Sequence, residues 1–168
     1  KMISSLLSMI VMLNPFALFL YLNPVMKELD NRSFSNVMLR ASAISWFILT
    51  IFLLTGNIIF QDFLQIDFES FRVFGGIIIF SFAYLFIIKG NKAMIHIKEN
   101  LNDLASEIAL PFMAGAGSIS LAIIFSNQYG FWKGFLVMTF AIAISHLVIM
   151  MLKVLKKGLP NKKLRVAF

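Results

Sequence analysis

The chain has 168 residues, of which 60% are apolar and 14% charged, whereas a soluble domain carries roughly a quarter charged and about half apolar residues. Its 19 Phe and 10 Met are more large apolar side chains than a soluble domain of this length can bury, which excludes a soluble globular fold and predicts a lipid environment. The absence of Cys excludes disulfides, thiol nucleophiles and iron–sulfur clusters, and the net charge of +7 is dispersed between apolar segments, which argues against nucleic-acid binding.

Five stretches lack Asp, Glu, Lys and Arg and are candidates for membrane-spanning helices, because an ionised group at the bilayer centre costs at least about 2.5 kcal/mol. They cover residues 2–26, 41–61, 73–88, 108–132 and 134–152. About 20 helical residues cross the hydrocarbon, so four of these windows are long enough outright. The third also spans, because Arg72 and Lys89 at its ends extend outward to the interface. The sequence predicts an all-α membrane protein with five transmembrane helices in a single domain, 1–168.

The first window is interrupted at Asn14-Pro15 and again at Asn23-Pro24. No small-x-small cleavage site follows its apolar run, so we expect a retained, broken helix rather than a signal peptide. A proline removes one backbone hydrogen bond and frees a carbonyl in a medium without water. The amide of the preceding Asn either bonds that carbonyl or faces a ligand.

The fourth window contains Pro111 and then seven residues, 114–120, that read Ala-Gly-Ala-Gly-Ser-Ile-Ser and allow the backbone to unwind. Taken singly, Pro15 is better explained as an ordinary kink, and the small residues are better explained as a close helix contact. Two paired breaks instead favour a transporter, in which half-helix amides meet anionic groups and unwound carbonyls meet cations. The predicted substrate-binding residues are Asn14, Pro15, Phe16, Ala17, Pro111, Ala114, Gly115, Gly117 and Ser118.

Two similarities indicate an internal repeat. Pro15-Phe16 recurs as Pro111-Phe112, 96 residues later, and the pattern Ala-x-Ala-Ile-Ser at 41–45 recurs at 141–145. Two units of three helices cross the membrane in opposite senses, which makes an inverted repeat with broken first and fourth helices. The predicted units are 1–90 and 100–168. The second lacks its third helix, so five of an expected six are present, and the parent chain is expected to continue for about one spanning segment.

The basic residues alternate between the two sides of the membrane. Twelve of the 15 follow the first, third and fifth windows, whereas Lys1, Arg72 and Lys133 lie on the opposite side. Because short cytoplasmic loops carry an excess of Lys and Arg, the N-terminus is predicted outside and the Lys-rich tail after residue 152 in the cytoplasm.

Two further ionisable residues adjoin or lie within the windows. His146 either relays protons and lines a cavity or is bonded to a neighbouring helix. Glu107 is interpreted as an acid in the first turn of the fourth helix, where the helix dipole favours it. The sequence contains no metal-ligand spacing, Ser/His/Asp set or phosphate-binding loop, so no cofactor and no enzymatic activity are predicted.

Three segments carry a family resemblance. They are Leu13-Asn14-Pro15-Phe16, Phe71-Arg72-Val73-Phe74-Gly75-Gly76, and residues 109–120, which read Ala-Leu-Pro-Phe-Met-Ala-Gly-Ala-Gly-Ser-Ile-Ser. Over almost the whole chain the sequence resembles the MarC family of bacterial and archaeal membrane proteins. The resemblance implies a six-helix protein of the inner or cell membrane, with members that resemble transporters of small neutral amino acids. The chain departs from the family at Ala17, usually Gly, and at Ala116, usually Pro.

The sequence therefore favours uptake or export of small neutral amino acids, or similar small solutes, by alternating access. Few ionisable groups lie in the windows, which fits a neutral or zwitterionic substrate, and a coupling ion would be sodium or a proton. The expected partners are the bilayer and the substrate, with homo-oligomerisation left open. The alternative is a membrane scaffold or assembly protein without transport activity. A membrane enzyme ranks third, because the usual cluster of carboxylate, His or Ser side chains near one interface is missing.

Overall fold

The computed structural model describes residues 2–58 and 101–158 without a gap, and isolated helical residues between Ser70 and Ile88. Within these ranges the chain is helical apart from short turns, and no strand occurs. Half of the residues of the predicted third helix, 73–88, lie outside the described residues, as does the tail after residue 158.

The first half of the described chain is one interrupted helix followed by a long one. Its elements are α1 (Met2–Leu13), α2 (Pro15–Tyr21), α3 (Asn23–Glu28) and α4 (Asn31–Asn57). The junction between α2 and α3 is a mild distortion, because Leu22 donates to the Leu18 carbonyl and Met26 donates to the Leu22 carbonyl as in a continuous helix. Of the two Asn-Pro pairs, only the first breaks the helix.

The second half has the same order. Its elements are α5 (Leu101–Ile108), a π-helical turn (Ala109–Met113), α6 (Ala116–Tyr129) and α7 (Phe131–Gly158). The helix α6 has 14 residues, or roughly 21 Å, and does not cross a bilayer alone. Among the described residues, three segments rather than the predicted five are long and apolar enough to span a membrane. They are Met2–Tyr21, Asn31–Thr55 and Phe131–Lys156.

Different residues begin the two long helices. Asp30 caps α4, because its Oδ2 accepts from the amides of Arg32 (3.1 Å) and Ser33 (3.4 Å). Hydrogen bonds, the largest from the Ser33 side chain, hold the pKa of Asp30 below its ordinary value. The turn before α7 instead uses Gly130, whose φ of 77° disfavours a residue with a Cβ.

The helices α4 and α7 pack against each other and run antiparallel. Ser42 meets His146, whereas Trp46, one turn further along α4, meets Thr139, which lies earlier on α7. Positions 41–54 and 141–154 also show the same succession of buried, half-buried and exposed residues. The two long helices therefore present equivalent faces to their surroundings.

Each broken helix packs on the long helix of the other half: α1 lies on α7, and α5 lies on α4, while α6 contacts both long helices. The core between them is apolar and includes the fully buried side chains of Met9, Leu13, Phe34, Met38, Leu49, Leu104, Met113, Met138 and Ile149. Many large apolar side chains remain exposed on the outer faces, among them Val11, Phe47 and Leu147. This arrangement suits lipid, because in water such faces would be unfavourable.

Candidate functional site

The first helix break is made by one residue. Asn14 has φ 42° and ψ 65°, a left-handed conformation that Asn adopts more readily than most residues. Its amide closes α1 by donating to the Ile10 carbonyl, and its Oδ1 accepts from the Ala17 amide at 3.2 Å. The side chain thus caps α2. The sequence suggested that it would bond the carbonyl freed by Pro15 or face a ligand, and in the structure it accepts from a backbone amide instead. Pro15 occupies the first position of α2, where its missing N–H costs nothing.

The second break is spread over six residues. Leu110 is extended (φ −111°, ψ 127°) inside the π-helical turn, and Ala114 and Gly115 then leave the helix. The hydroxyl of Ser118 donates to the Met113 carbonyl at 2.7 Å and is 3.0 Å from the Gly115 carbonyl. This polar group, supplied by the following helix, compensates the Met113 carbonyl that the break frees, whereas the Gly115 carbonyl also accepts from the Ile119 amide.

The unwound run is shorter than predicted. Of residues 114–120, only Ala114 and Gly115 are unwound, and 116–120 form the first turns of α6. The two prolines also do not mark equivalent points, because Pro15 begins the helix after its break whereas Pro111 lies inside its break. Helices after the breaks begin 101 residues apart, at Pro15 and Ala116.

The two breaks meet where α1 crosses α6. A Cβ placed on Gly117 would lie 1.8 Å from Cε of Met12, so the methionine side chain occupies the space that the glycine leaves. Met12 lies two residues before Asn14, and Gly117 lies two residues after Gly115. Their contact therefore places the two breaks side by side, at the same depth in the bundle. Nothing in the sequence singled out Met12, since a Met in an apolar window is unremarkable as a sequence signal.

Contacts on either side of this crossing show that the two broken helices are antiparallel. Ser5 donates to the Tyr129 hydroxyl at 3.1 Å, and the rings of Tyr21 and Phe112 lie 4.1 Å apart at the other end. The breaks therefore sit between two interhelical contacts, in the middle of the bundle.

The nine residues predicted to bind substrate fall into two groups. Buried or half-buried are Pro15, Ala114, Gly115, Gly117 and Ser118, and exposed are Asn14, Phe16 and Ala17. For Pro111 the structure describes the backbone alone. The structure thus brings the α6 residues together with Met12, while Phe16 and Ala17 lie on the surface of the described chain.

His146 is bonded to a neighbouring helix, one of the two alternatives that the sequence left open. Its Nδ1 is 3.2 Å from the Ser42 hydroxyl of α4. Trp46 donates from Nε1 to Thr139 at 3.0 Å, so two polar contacts tie α4 to α7. Trp46 and His146 occupy positions 100 residues apart on helices with the same burial pattern.

The interpretation of Glu107 as a first-turn acid is wrong. Glu107 lies in the last turn of α5, which ends at Ile108, so the helix dipole does not favour it. It is half-buried and interacts electrostatically with Tyr21 of α2. The sequence placed Glu107 outside the apolar window and so gave no indication of α5.

Lys153 is the clearest residue that sequence reasoning missed. It is 7% exposed, and its Nζ lies 3.4 Å and 3.5 Å from the carbonyl oxygens of Leu29 and Asp30. The same ammonium lies 4.0 Å from the centroid of the Phe34 ring. A cation at these carbonyls offsets the negative end of α3 and ties α7 to the turn before α4.

The centre of the bundle offers neutral hydrogen-bonding groups. The buried hydroxyls of Ser120 and Ser145 have no hydrogen-bond partner in the described structure. Within the described ranges there is no group of three or more His, Cys, Asp or Glu side chains that could hold a metal ion.

Antiparallel apolar helices, interrupted in pairs at the middle of the bundle, define an integral membrane protein of the helical class. The chain matches the description "MarC family integral membrane protein" over residues 1–162, and it belongs to this family. Both the predicted lipid environment and the family resemblance are confirmed.

Three membrane proteins of the UPF0056 group are similar to the chain. The one from Pyrococcus horikoshii is 27% identical over 167 residues, which covers 99% of this chain and 83% of the relative. The one from Aquifex aeolicus is 29% identical, covering 85% and 70% of the two chains, and that from Buchnera aphidicola subsp. Schizaphis graminum is 32% identical, covering 80% and 65%. No solved structure matches the chain.

Proposed function

We propose that the chain transports small neutral amino acids, or similar small solutes, across the membrane by alternating access. The observation that carries this proposal is the contact of two helix breaks, at Asn14 and at 110–115, through Met12 and Gly117 in the middle of the bundle. Interrupted helices at corresponding positions are the arrangement by which transporters expose backbone groups to a substrate.

The proposed architecture is two inverted three-helix repeats, 1–90 and 100–168, with five spanning helices of six. It is supported by the near-constant offset between the halves: α2 and α6 begin 101 residues apart, and α4 and α7 begin 100 apart. The shared burial pattern of 41–54 and 141–154 supports it independently of the sequence similarity. Packing of each broken helix on the other half's long helix fits two interlocked units.

The N-terminus of α6 is the proposed position of the substrate carboxylate. In the described chain Gly115, the residue before α6, contributes no side chain that caps the helix, so its first amides are left to a ligand or water. The helix α2 differs, because Asn14 already caps it. Within the nine predicted residues this difference favours Gly115, Gly117 and Ser118 over Phe16 and Ala17 as the direct contacts.

The remaining parts of the proposal follow the sequence. The protein would lie in the cell (inner) membrane with its N-terminus outside and its Lys-rich tail in the cytoplasm, and it would work without a cofactor and without enzymatic activity. Sodium or a proton would couple transport, and homo-oligomers are compatible with the exposed apolar faces.

Flux in proteoliposomes tests the proposal. Purified protein should move labelled glycine or alanine, and excess unlabelled substrate should compete. Gly115→Leu should reduce flux while the protein stays inserted and folded, because the extended backbone at residue 115 (φ −84°, ψ 174°) accepts any side chain. A panel of small amino acids that shows no flux under sodium or proton gradients would refute the substrate assignment.

A membrane scaffold without transport activity is the second candidate, and the contact of Gly117 with Met12 favours it. The Met12 side chain fills the space beside Gly117, as in ordinary close packing of helices. Gly117→Leu therefore cannot separate the two functions, because it disturbs packing in either case. If Gly115→Leu alters assembly while the wild type shows no flux, the scaffold is favoured.

A further inference from the structure

Two lysines meet at one end of the described bundle. Lys156, near the end of α7, donates from Nζ to Oδ1 of Asn23, and its ammonium lies 5.8 Å from the centroid of the Phe19 ring. Lys27 follows Asn23 by four residues and so lies on the same face of α3. The two ammonium groups interact repulsively.

The hydrogen-bond partner that the structure gives Lys156 is the neutral amide of Asn23 and not a carboxylate. Glu28 is next to Lys27 in sequence, but adjacent helical residues point in different directions. The carboxylate of Asp30 is occupied by the amides at the start of α4. Two neighbouring cations without an anion are unfavourable unless an anion binds between them.

Lys153 removes the main obstacle to an anion at this place. The C-terminal end of α3 carries a partial negative charge, which would repel an anion near Lys27. The buried ammonium of Lys153 lies at the Leu29 and Asp30 carbonyls and offsets that charge. Lys153 itself is inside the protein, so Lys27 and Lys156 are the lysines that face a ligand.

The helices beside the lysine pair expose apolar side chains. The helix α2 exposes Phe16 and Leu20, and α7, which packs on α2, exposes Met151 and Leu155. Each pair is spaced by four residues and lies along one face of its helix. A molecule that fits both features has a negatively charged head and a long apolar tail.

We propose that Lys27 and Lys156 bind the anionic headgroup of a phospholipid, with its acyl chains along Phe16, Leu20, Met151 and Leu155. Basic pockets between helices at a membrane surface bind such headgroups, and each lysine contributes roughly a fivefold gain in affinity. The site is independent of the proposed transport activity. It lies at the end that is predicted to face the cytoplasm, where anionic lipids are concentrated.

Lipid binding to the purified full chain tests the proposal. Native mass spectrometry should show preferential retention of phosphatidylglycerol over phosphatidylcholine. Lys156→Gln and Lys27→Gln should each weaken phosphatidylglycerol binding roughly fivefold and leave phosphatidylcholine binding unchanged, while Lys156→Arg keeps most of the affinity. Lys133→Gln is the matched control, because it removes the same charge at the other end of α7 and should change nothing.

Three results would overturn the site. Equal retention of the two lipids by the wild type would do so, as would an equal loss in Lys133→Gln, which would indicate diffuse attraction to the whole surface. Displacement of the lipid by millimolar inorganic phosphate would indicate a small-anion site instead. Should the glutamine variants fail to fold, the wild-type preference and the rise in thermal stability on adding phosphatidylglycerol decide the question.

Discussion

The two halves of the described chain, 2–58 and 101–158, have the same order of parts but build them from different residues. Each has a broken helix followed by an unbroken one, 27 residues long in α4 and 28 in α7. The first break is a single left-handed residue, Asn14, that caps the next helix itself. The second extends from Leu110 to Gly115 and depends on a hydroxyl from Ser118. The first break satisfies an amide through its own residue and the second satisfies a carbonyl through Ser118, and the position of the proline also differs.

Charge is also distributed differently between the halves. Lys153 packs over the ring of Phe34, while Leu53 packs against Gly134, where an added Cβ would lie 2.9 Å from Leu53 Cδ1. The two contacts are at matching positions 100 residues apart, yet only one holds a cation. The two halves therefore share a helix arrangement, but only one of these two matching contacts contains a lysine. Substitutions in both halves test how far they differ.

Gly117→Leu has the largest expected effect. The added side chain cannot share the space of Met12 Cε, so the exposed methionine must swing aside, and overpacking of this kind costs about 1–3 kcal/mol. Unfolding in mixed detergent and SDS micelles should show the loss of stability, and the double variant Met12→Ala/Gly117→Leu should recover part of it. Gly76→Leu is the control, since no atom of the described residues lies within 4 Å of a Cβ placed there. Unchanged stability in Gly117→Leu would mean that the two breaks are not packed together.

Asn14→Ala tests the first break. It should lower the free energy of unfolding by about 2 kcal/mol, because alanine is strained in the left-handed conformation and cannot cap α2. Asn14→Gly should cost only a few tenths of a kcal/mol, since glycine accepts this backbone. In the second half, Gly115→Ala should cost less than about 1 kcal/mol, because residue 115 has an ordinary extended backbone. Equal effects at positions 14 and 115 would contradict the difference between the breaks.

Ser118→Ala tests the second break. Loss of the hydroxyl leaves the Met113 and Gly115 carbonyls without this donor and should cost about 1 kcal/mol. Ser8→Ala is a matched control in the first half, because the Ser8 hydroxyl donates to the Ser4 carbonyl on an exposed face of an intact helix. The same unfolding measurement on both variants should show a loss only for Ser118→Ala. A comparable loss in Ser8→Ala would show that the hydroxyl has no special role at the break.

Acidification should produce the smallest effect, through Asp30 at the start of α4. The pKa of Asp30 is lowered in the folded protein, so its contribution to stability is present above its ordinary value of 3.8 and is lost as the pH falls through the lowered pKa. Thermal unfolding at pH 5 and pH 3 should show a slightly larger difference in the wild type than in Asp30→Asn, which keeps a capping oxygen and does not titrate. Identical pH dependence in the two proteins would remove Asp30 from this role.

Part of the candidate site could be predicted because its signals are local. A proline after Asn14 disfavours a helical backbone at that residue, so a break there could be predicted, although the same pair at Asn23-Pro24 causes only a mild distortion. The second break could not, because Pro111 lies in a π-helical turn and the chain unwinds at Leu110 and again at Ala114–Gly115. Glu107 was misassigned because the fourth segment begins earlier than its apolar window. The short helix α5, which is polar on one face, extends the segment toward the N-terminus, so Glu107 lies in the last turn of α5.

The sequence by itself determined the membrane environment, the helical class and the family, because composition and long apolar runs depend on no contact between distant residues. Only the tertiary structure decided that Met12 fills the space over Gly117 and that Lys153 lies buried beside Phe34. These contacts join residues more than 100 positions apart. They depend on how the two halves cross, and in the sequence a lysine that closes a helix end looks the same as one that faces water.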